Sequence, residues 1–385
     1  MGRGEFISGP NFSGRSRLLR ARARELGAAT YFIGPYAEAA LSGLSSTIAD
    51  EIQIYRTKRR DRDRPLFERP RAALRQKPQS LSGGEQVLLA LHCFSISAYR
   101  SVAIDTALEQ LDARNRTQAI DYLGTGRFDV VLTDNRAQPR GWDRKELPRR
   151  GRSFACDWES LQQAIAPHLA PRIRIRNLSF GYRPDTDIFS DAEVTLEPGQ
   201  AHRLSGRNGA GKTTLLKILV GALVPRSAQI SLDEVAYEPW RTGNIALALA
   251  TQNPDQQWCG ATLREDMDRR RAALSRYPAH AVLTEERIST LARQLGVASV
   301  DQHLYELPIA ARKRISWLWP FAGAHPWIML DEPTIGQDAE TCRSLAGTLE
   351  RLCQAGYGVM FVTHDDDFAA AVPHRVLRIE NKRIS

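Results

Sequence analysis

The residues with the most chemistry in their spacing run from Gly206 to Thr213, Gly-Arg-Asn-Gly-Ala-Gly-Lys-Thr, which fits the pattern G-x-x-x-x-G-K-[ST]. In that pattern the glycines let backbone N–H groups close around phosphate oxygens at a helix N-terminus. Lys212 reaches the β- and γ-phosphates, and the Thr213 hydroxyl coordinates Mg2+. Asn208, Gly209, Ala210, Gly211 and Thr214 complete the stretch expected to face a nucleotide. The apolar segments on either side, Ala201–Leu204 and Leu215–Val220, supply the strand before the loop and the helix after it.

Downstream, a polar run Thr251-Gln-Asn-Pro-Asp-Gln-Gln257 precedes an apolar strand, Trp327–Leu330, that ends in Asp331-Glu332-Pro333-Thr334. Gly336-Gln-Asp338 follows, and then a second apolar strand ending in Thr363-His364-Asp365. The first half of the chain holds weaker echoes of the same order. They are Gly9-Pro-Asn-Phe-Ser-Gly-Arg-Ser16, Leu81-Ser-Gly-Gly-Glu85, Val102–Asp105 with Thr106, Leu111-Asp112, and Val130–Asp134. Leu81 to Asp105 is 24 residues, as is Leu307 to Asp331; Asp105 to Asp112 is seven, as is Asp331 to Asp338. Matching offsets at independent landmarks mark an internal repeat. Gly9 to Leu81 is 72 residues against 101 from Gly206 to Leu307, so the first copy carries a trimmed helical region. It also lacks the strands that Ile173–Glu197 supplies ahead of the second loop.

These motifs together resemble the ATP-binding cassette (ABC) ATPases, over roughly 1–135 and 172–385. The Gln252–Gln257 run further resembles the ATPases of energy-coupling-factor importers, which take up vitamins and transition metals. The resemblance implies an α/β fold of two tandem P-loop nucleotide-binding domains, each a mainly parallel sheet with helices and a helical subdomain. The first, 1–135, is truncated and degenerate; an Arg/Pro-rich linker, 136–171, with a short helix near Asp157–Ala166, leads to the complete second, 172–385.

In that family two cassettes pair head to tail, and each nucleotide lies between the P-loop of one and the signature of the other. One composite site is then complete. Lys212 and Thr213 hold phosphate and Mg2+, Asp331 orients the metal shell, and Glu332 is the general base. Gln252 touches metal or water, His364 the γ-phosphate, and Tyr182, in Leu178-Ser-Phe-Gly-Tyr182, stacks on adenine. Ser82, Gly83 and Gly84 supply a hydroxyl and backbone N–H groups from the first copy. The other site is damaged throughout. Arg15 stands for the P-loop lysine, Phe12 crowds the loop, Thr106 replaces the base, and Asp134 replaces the histidine. Phe32-Ile-Gly-Pro35 holds no glutamine, and the facing signature reads Leu307-Pro-Ile-Ala-Ala311.

No apolar stretch approaches the roughly 18 to 20 residues of a membrane span, and the first residues form no apolar leader. Five scattered cysteines without C-x-x-C spacing argue for reduced thiols. The chain is therefore expected in the cytoplasm, peripheral on the inner face of the cell membrane. There it would energise separate transmembrane subunits docked near Pro35–Glu51 and Pro254–Asp266, in an importer of a small nutrient such as a vitamin or metal. The net charge of +9 sits mostly in the first 170 residues, with 27 Lys/Arg against 19 Asp/Glu, while the rest holds 26 against 25. That asymmetry keeps open a soluble tandem ATPase remodelling a ribosome or nucleic-acid complex, and a switch that binds ATP without turnover is a third reading.

Overall fold

The computed structural model describes residues 4–10, 13–27, 29–56, 66–67, 73–135, 139–148, 169–242, 244, 246–274, 284–322 and 325–385. Phe12, Cys156 and the helix expected near Asp157–Ala166 lie outside them. The chain divides into two compact units, Met1–Arg152 with Ile335–Ala339, and Ser153–Thr334 with Glu340–Ser385.

Unit 1 is built on one parallel sheet of β1 (Gly4–Ser8), β2 (Thr30–Ile33), β3 (Ser101–Asp105), β4 (Asp129–Thr133) and β5 (Asp143–Glu146), in the order β2-β3-β4-β1-β5. Helices Arg15–Glu25, Ile48–Tyr55, Gly83–Ile96 and Ala113–Leu123 connect the strands. All five residues of β3 are buried, the continuous pattern of a parallel strand covered on both faces. Phe6, Ile104, Val130 and Leu132 join Val87, Leu91 and Phe94 of helix Gly83–Ile96 in the largest core of this unit.

Unit 2 contains an antiparallel sheet of β6 (Ile173–Phe180), β7 (Phe189–Leu196), β9 (Ser227–Leu232) and β10 (Val235–Ala236), in the order β10-β9-β6-β7. Its second sheet joins β8 (Ala201–Ser205), β11 (Leu247–Ala250), β12 (Trp327–Asp331), β13 (Gly358–Val362), β14 (His374–Glu380) and β15 (Arg383–Ile384). The order there is β11-β12-β13-β8-β14-β15, parallel except for the β14/β15 pair. Between β11 and β12 lie helices Leu263–Leu274, Glu285–Gln294, Ile309–Ser316 and Leu318–Ala322.

The first five strands of this parallel sheet follow the order of the unit 1 sheet, β1 to β5 corresponding to β8, β11, β12, β13 and β14 by position. Among the described residues the strands of unit 1 form one parallel sheet. The segment read as a linker contributes β5, whose register runs Glu5↔Asp143 to Ser8↔Glu146. The four described cysteines are free thiols.

Candidate functional site

The functional side chains of unit 2 gather at the C-terminal ends of β8, β11, β12 and β13, where parallel sheets carry their ligand crevices. After β8 the chain turns through Gly206–Gly211 into helix Lys212–Leu219. Gly211 has φ +108°, and a Cβ there would meet Ile188 Cγ2 at 2.5 Å. Only glycine fits both demands. Lys212 Nζ donates to the carbonyls of Gly206 (2.8 Å) and Arg207 (3.2 Å), so the ammonium lies across the mouth of its own loop.

The Thr213 hydroxyl donates to Asp331 Oδ2 at 2.7 Å. Asp331 Oδ1 is buried with no hydrogen-bond partner, and so is the Nδ2 donor of Asn208 in the loop. An unsatisfied buried acceptor beside a hydroxyl suits a hard cation, and an unsatisfied amide donor in a glycine loop suits an anion. The residues present therefore fit a nucleotide with Mg2+. Burial pushes the Asp331 carboxyl up, opposed by the Thr213 hydrogen bond and by Lys313 and Lys212.

Glu332 is 4% exposed and has φ +47°, a left-handed backbone that is strained for a residue with a Cβ. Its N–H donates to Val362 O at 3.0 Å, which ties the strained residue to β13. Its carboxylate accepts from the His364 N–H at 3.2 Å, and His364 Nε2 lies 3.5 Å from Oε1. A carboxylate and an imidazole are thus brought together at adjacent strand ends. Tyr182, 56% exposed, stands edge-on to Phe180, with its hydroxyl 3.3 Å from that of Thr214. An open ring face beside the phosphate loop is what a stacking residue needs.

Gln252 sits two residues past β11, level with the end of β12. The run around it is fastened to helix Ile309–Ser316. Asp255 pairs with Arg312 at 2.6 Å, and Gln257 Nε2 donates to Ser316 O at 2.9 Å. Gln257 Oε1 also accepts from the Thr251 N–H at 2.9 Å. Lys313, 1% exposed, donates to the carbonyls of Thr251 (2.8 Å), Gln252 (2.9 Å) and Asp331 (3.0 Å). Burial lowers its pKa to about 7, against the pull of Asp331 and Glu332. The sequence reading missed Lys313 and Gln257; the one signal was a lysine on a helix whose neighbours Ala310, Ala311 and Ile315 are buried.

Unit 1 shows some of the same backbone features with other chemistry. Gly14 (φ +92°) precedes helix Arg15–Glu25 as Gly211 precedes its own helix. Thr106, at the Glu332 position after β3, also has a positive φ, +55°, and donates its N–H to Thr133 O at 2.9 Å. Arg15, 8% exposed, donates to the Asn135 side-chain oxygen. Asn135 is held in turn by Glu109, which accepts from its N–H and its Nδ2, both at 2.9 Å.

One expectation needs correcting here. The registers Asp105↔Thr133 and Asp331↔Val362 put Asn135, not Asp134, at the position of His364. Asp134 instead forms a buried ion pair with Arg116. The same alignment of β2 with β11 puts Pro35 at the position of Gln252.

Ser82, Gly83 and Gly84 belong to unit 1, at the start of helix Gly83–Ile96. Ser82 caps it, donating through its N–H (3.0 Å) and hydroxyl (2.9 Å) to Glu85. In unit 2 the capping position is Pro308, and Ile309 and Ala310 open the helix. Each of the two segments follows a 3-10 turn, Pro78–Ser80 or Leu304–Glu306, and then a leucine.

Residues 189–335 match the protein family described as ABC transporter. A putative ABC transporter ATP-binding protein of Streptomyces coelicolor is 31% identical over 210 residues, 51% of this chain and 70% of that protein. The chain belongs to the ABC transporter family, among its ATP-binding proteins. A putative HMP/thiamine import ATP-binding protein of Bacillus subtilis is 28% identical over 215 residues, 55% of this chain. That match spans only 38% of the Bacillus protein's length. The energy-coupling factor transporter ATP-binding protein of Methanothermobacter thermautotrophicus is 30% identical over 209 residues, 53% of this chain and 66% of that one.

Proposed function

We propose that the protein hydrolyses ATP at a single site to power an importer of a small nutrient through separate membrane subunits. The observation that carries this reading is the asymmetry between the units. Lys212, Thr213, Asp331, Glu332 and His364 converge at the strand ends of unit 2, while the matching ends of unit 1 hold Arg15, Thr106 and Asn135 in contacts of their own. The importer sense is supported by the thiamine-import and energy-coupling-factor relatives. Among the described residues no helix is long and apolar enough to cross a membrane, and in this reading the spanning parts belong to separate partners, with this chain peripheral on the inner face.

In this reading Lys212, Asn208 and the loop N–H groups bind the phosphates. Thr213, Asp331 and Gln252 hold Mg2+, which neutralises charge on the phosphate oxygens. Glu332 takes a proton from the attacking water, and His364 orients that carboxylate and faces the γ-phosphate. Tyr182 carries the adenine. Ser82, Gly83 and Gly84 would complete the site in this reading; the corresponding unit 2 segment offers no equivalent, since Pro308 has no N–H and Ile309 and Ala310 bring side chains. The tandem arrangement, with unit 1 as a shortened and degenerate cassette, is supported by the shared strand order and the paired positive φ at Thr106 and Glu332.

The test is steady-state hydrolysis and ATP binding in a pair of variants. Lys212→Ala removes a charge-assisted donor worth about 1.5 to 3 kcal/mol, so the ATP dissociation constant rises about 10- to 150-fold and turnover falls with it. Arg15→Ala changes turnover per folded molecule by less than about threefold, far below the ~10² of a lost catalytic group. It does lower the melting temperature, because Asn135 loses a buried partner. Salt-dependent nucleic-acid binding at physiological ionic strength, without stimulation by membrane subunits, would favour the remodelling alternative.

A further inference from the structure

The buried ammonium of Lys313 has no part in the roles assigned so far. Its three N–H donors meet three backbone carbonyls, those of Thr251, Gln252 and Asp331, at 2.8, 2.9 and 3.0 Å. A lysine ammonium has three donors and no acceptor, so its capacity is filled by main-chain atoms alone. Two of the carbonyls belong to the loop that presents Gln252. The third belongs to Asp331, whose side chain receives the Thr213 hydroxyl and whose neighbour is Glu332. Asp255–Arg312 and Gln257–Ser316 already fasten this loop to helix Ile309–Ser316, but neither contact reaches β12. Lys313 alone among these contacts joins helix, loop and strand end.

We propose that Lys313 is a positioning residue for hydrolysis, locking the Gln252 backbone to the strand end that carries Asp331 and Glu332. The placement of helix Ile309–Ser316 thereby sets the geometry of the catalytic groups. A buried cation whose hydrogen bonds all go to neutral carbonyls is costly to keep for packing alone, since an apolar side chain of similar length fills the same space. What a methionine would not do is hold three carbonyls from two segments at one point. The proposal rests on the hydrolytic reading of the unit 2 site.

The experiment uses the full chain and compares Lys313→Met, Lys313→Gln and Gln252→Ala with wild type, measuring kcat, the dissociation constant for MgATP and the melting temperature. Lys313→Met is expected to lower kcat about 10- to 100-fold, the scale on which small misplacements of reacting groups act. The MgATP dissociation constant stays within threefold, because the phosphate loop is untouched. Lys313→Gln, which keeps two N–H donors, recovers part of the loss. In the Gln252→Ala background Lys313→Met adds less than threefold, since residues acting as a unit are not additive.

A kcat for Lys313→Met within threefold of wild type overturns the proposal. So does a loss of MgATP binding equal to the loss of kcat, full additivity with Gln252→Ala, or failure of both Lys313 variants to fold, each of which makes the residue a structural one. Lys212→Ala separates the two levels. If wild type shows no Lys212-dependent turnover, the hydrolytic reading falls and takes this proposal with it; if turnover is Lys212-dependent but indifferent to Lys313, only the proposal falls.

Discussion

Replacing Glu332 by glutamine is expected to lower ATP turnover by about 10² to 10⁴, the usual worth of a general base, while leaving nucleotide binding within threefold. The substitution is nearly isosteric. Its amide oxygen still accepts from the His364 N–H, and the left-handed backbone at φ +47° is the same strain for either residue. What is lost is the negative charge that takes the proton from water. Rate measured by phosphate release, with affinity measured separately, checks both halves. A variant retaining more than a tenth of wild-type turnover would show that Glu332 is not the base.

The second large effect is predicted from a residue 124 positions before Gly206. If the hydrolytic site is completed by the first copy, Ser82→Arg fills the space of the γ-phosphate and Gly84→Asp sets a like charge beside it. Either change should reduce turnover more than about 10²-fold, the loss expected when a preorganised anion donor is removed. On the same premise Ile309→Arg and Ala310→Asp should leave turnover per folded molecule within about threefold, because the proposed hydrolytic site does not use the side chains of those two residues. Loss of the Ser82 cap also costs the helix about 1 kcal/mol, so rates are compared per folded molecule. Equal losses from the two sets, or losses only from the second, would overturn the composite arrangement.

The candidate site's loop and strand-end residues were legible in the sequence, because glycine loops, strand-end carboxylates and their spacing are constrained locally. Gly211 is demanded by its own φ and by Ile188 pressing on it, and a motif records such a demand directly. The shared strand order of the two units left a trace of the same kind, in equal distances from Leu81 to Asp105 and from Leu307 to Asp331. Lys313 was not legible, since its partners lie 61, 62 and 18 residues away and are carbonyls that every residue type possesses.

The slip from Asn135 to Asp134 has a different origin. Matching by residue type aligned one threonine with another, whereas strand register aligns Thr133 with Val362. A shift of one residue turns a side chain to the opposite face, which is why Asp134 meets Arg116 rather than the loop. Strand β5 escaped notice because Asp143-Arg-Lys-Glu146 shows no apolar alternation at all.

That last strand bears on how one side of the unit 1 sheet is closed off. Among the described residues β5 is one of the two outermost strands of the unit 1 sheet, opposite β2, and all four of its side chains are exposed. A bare parallel edge is a template on which a passing chain can zip a further strand and start an aggregate. Here any newcomer would have to strip water from two acids and two bases in succession without a complementary partner for each. The β5 edge of the unit 1 sheet therefore ends in charges that discourage recruitment of an additional strand.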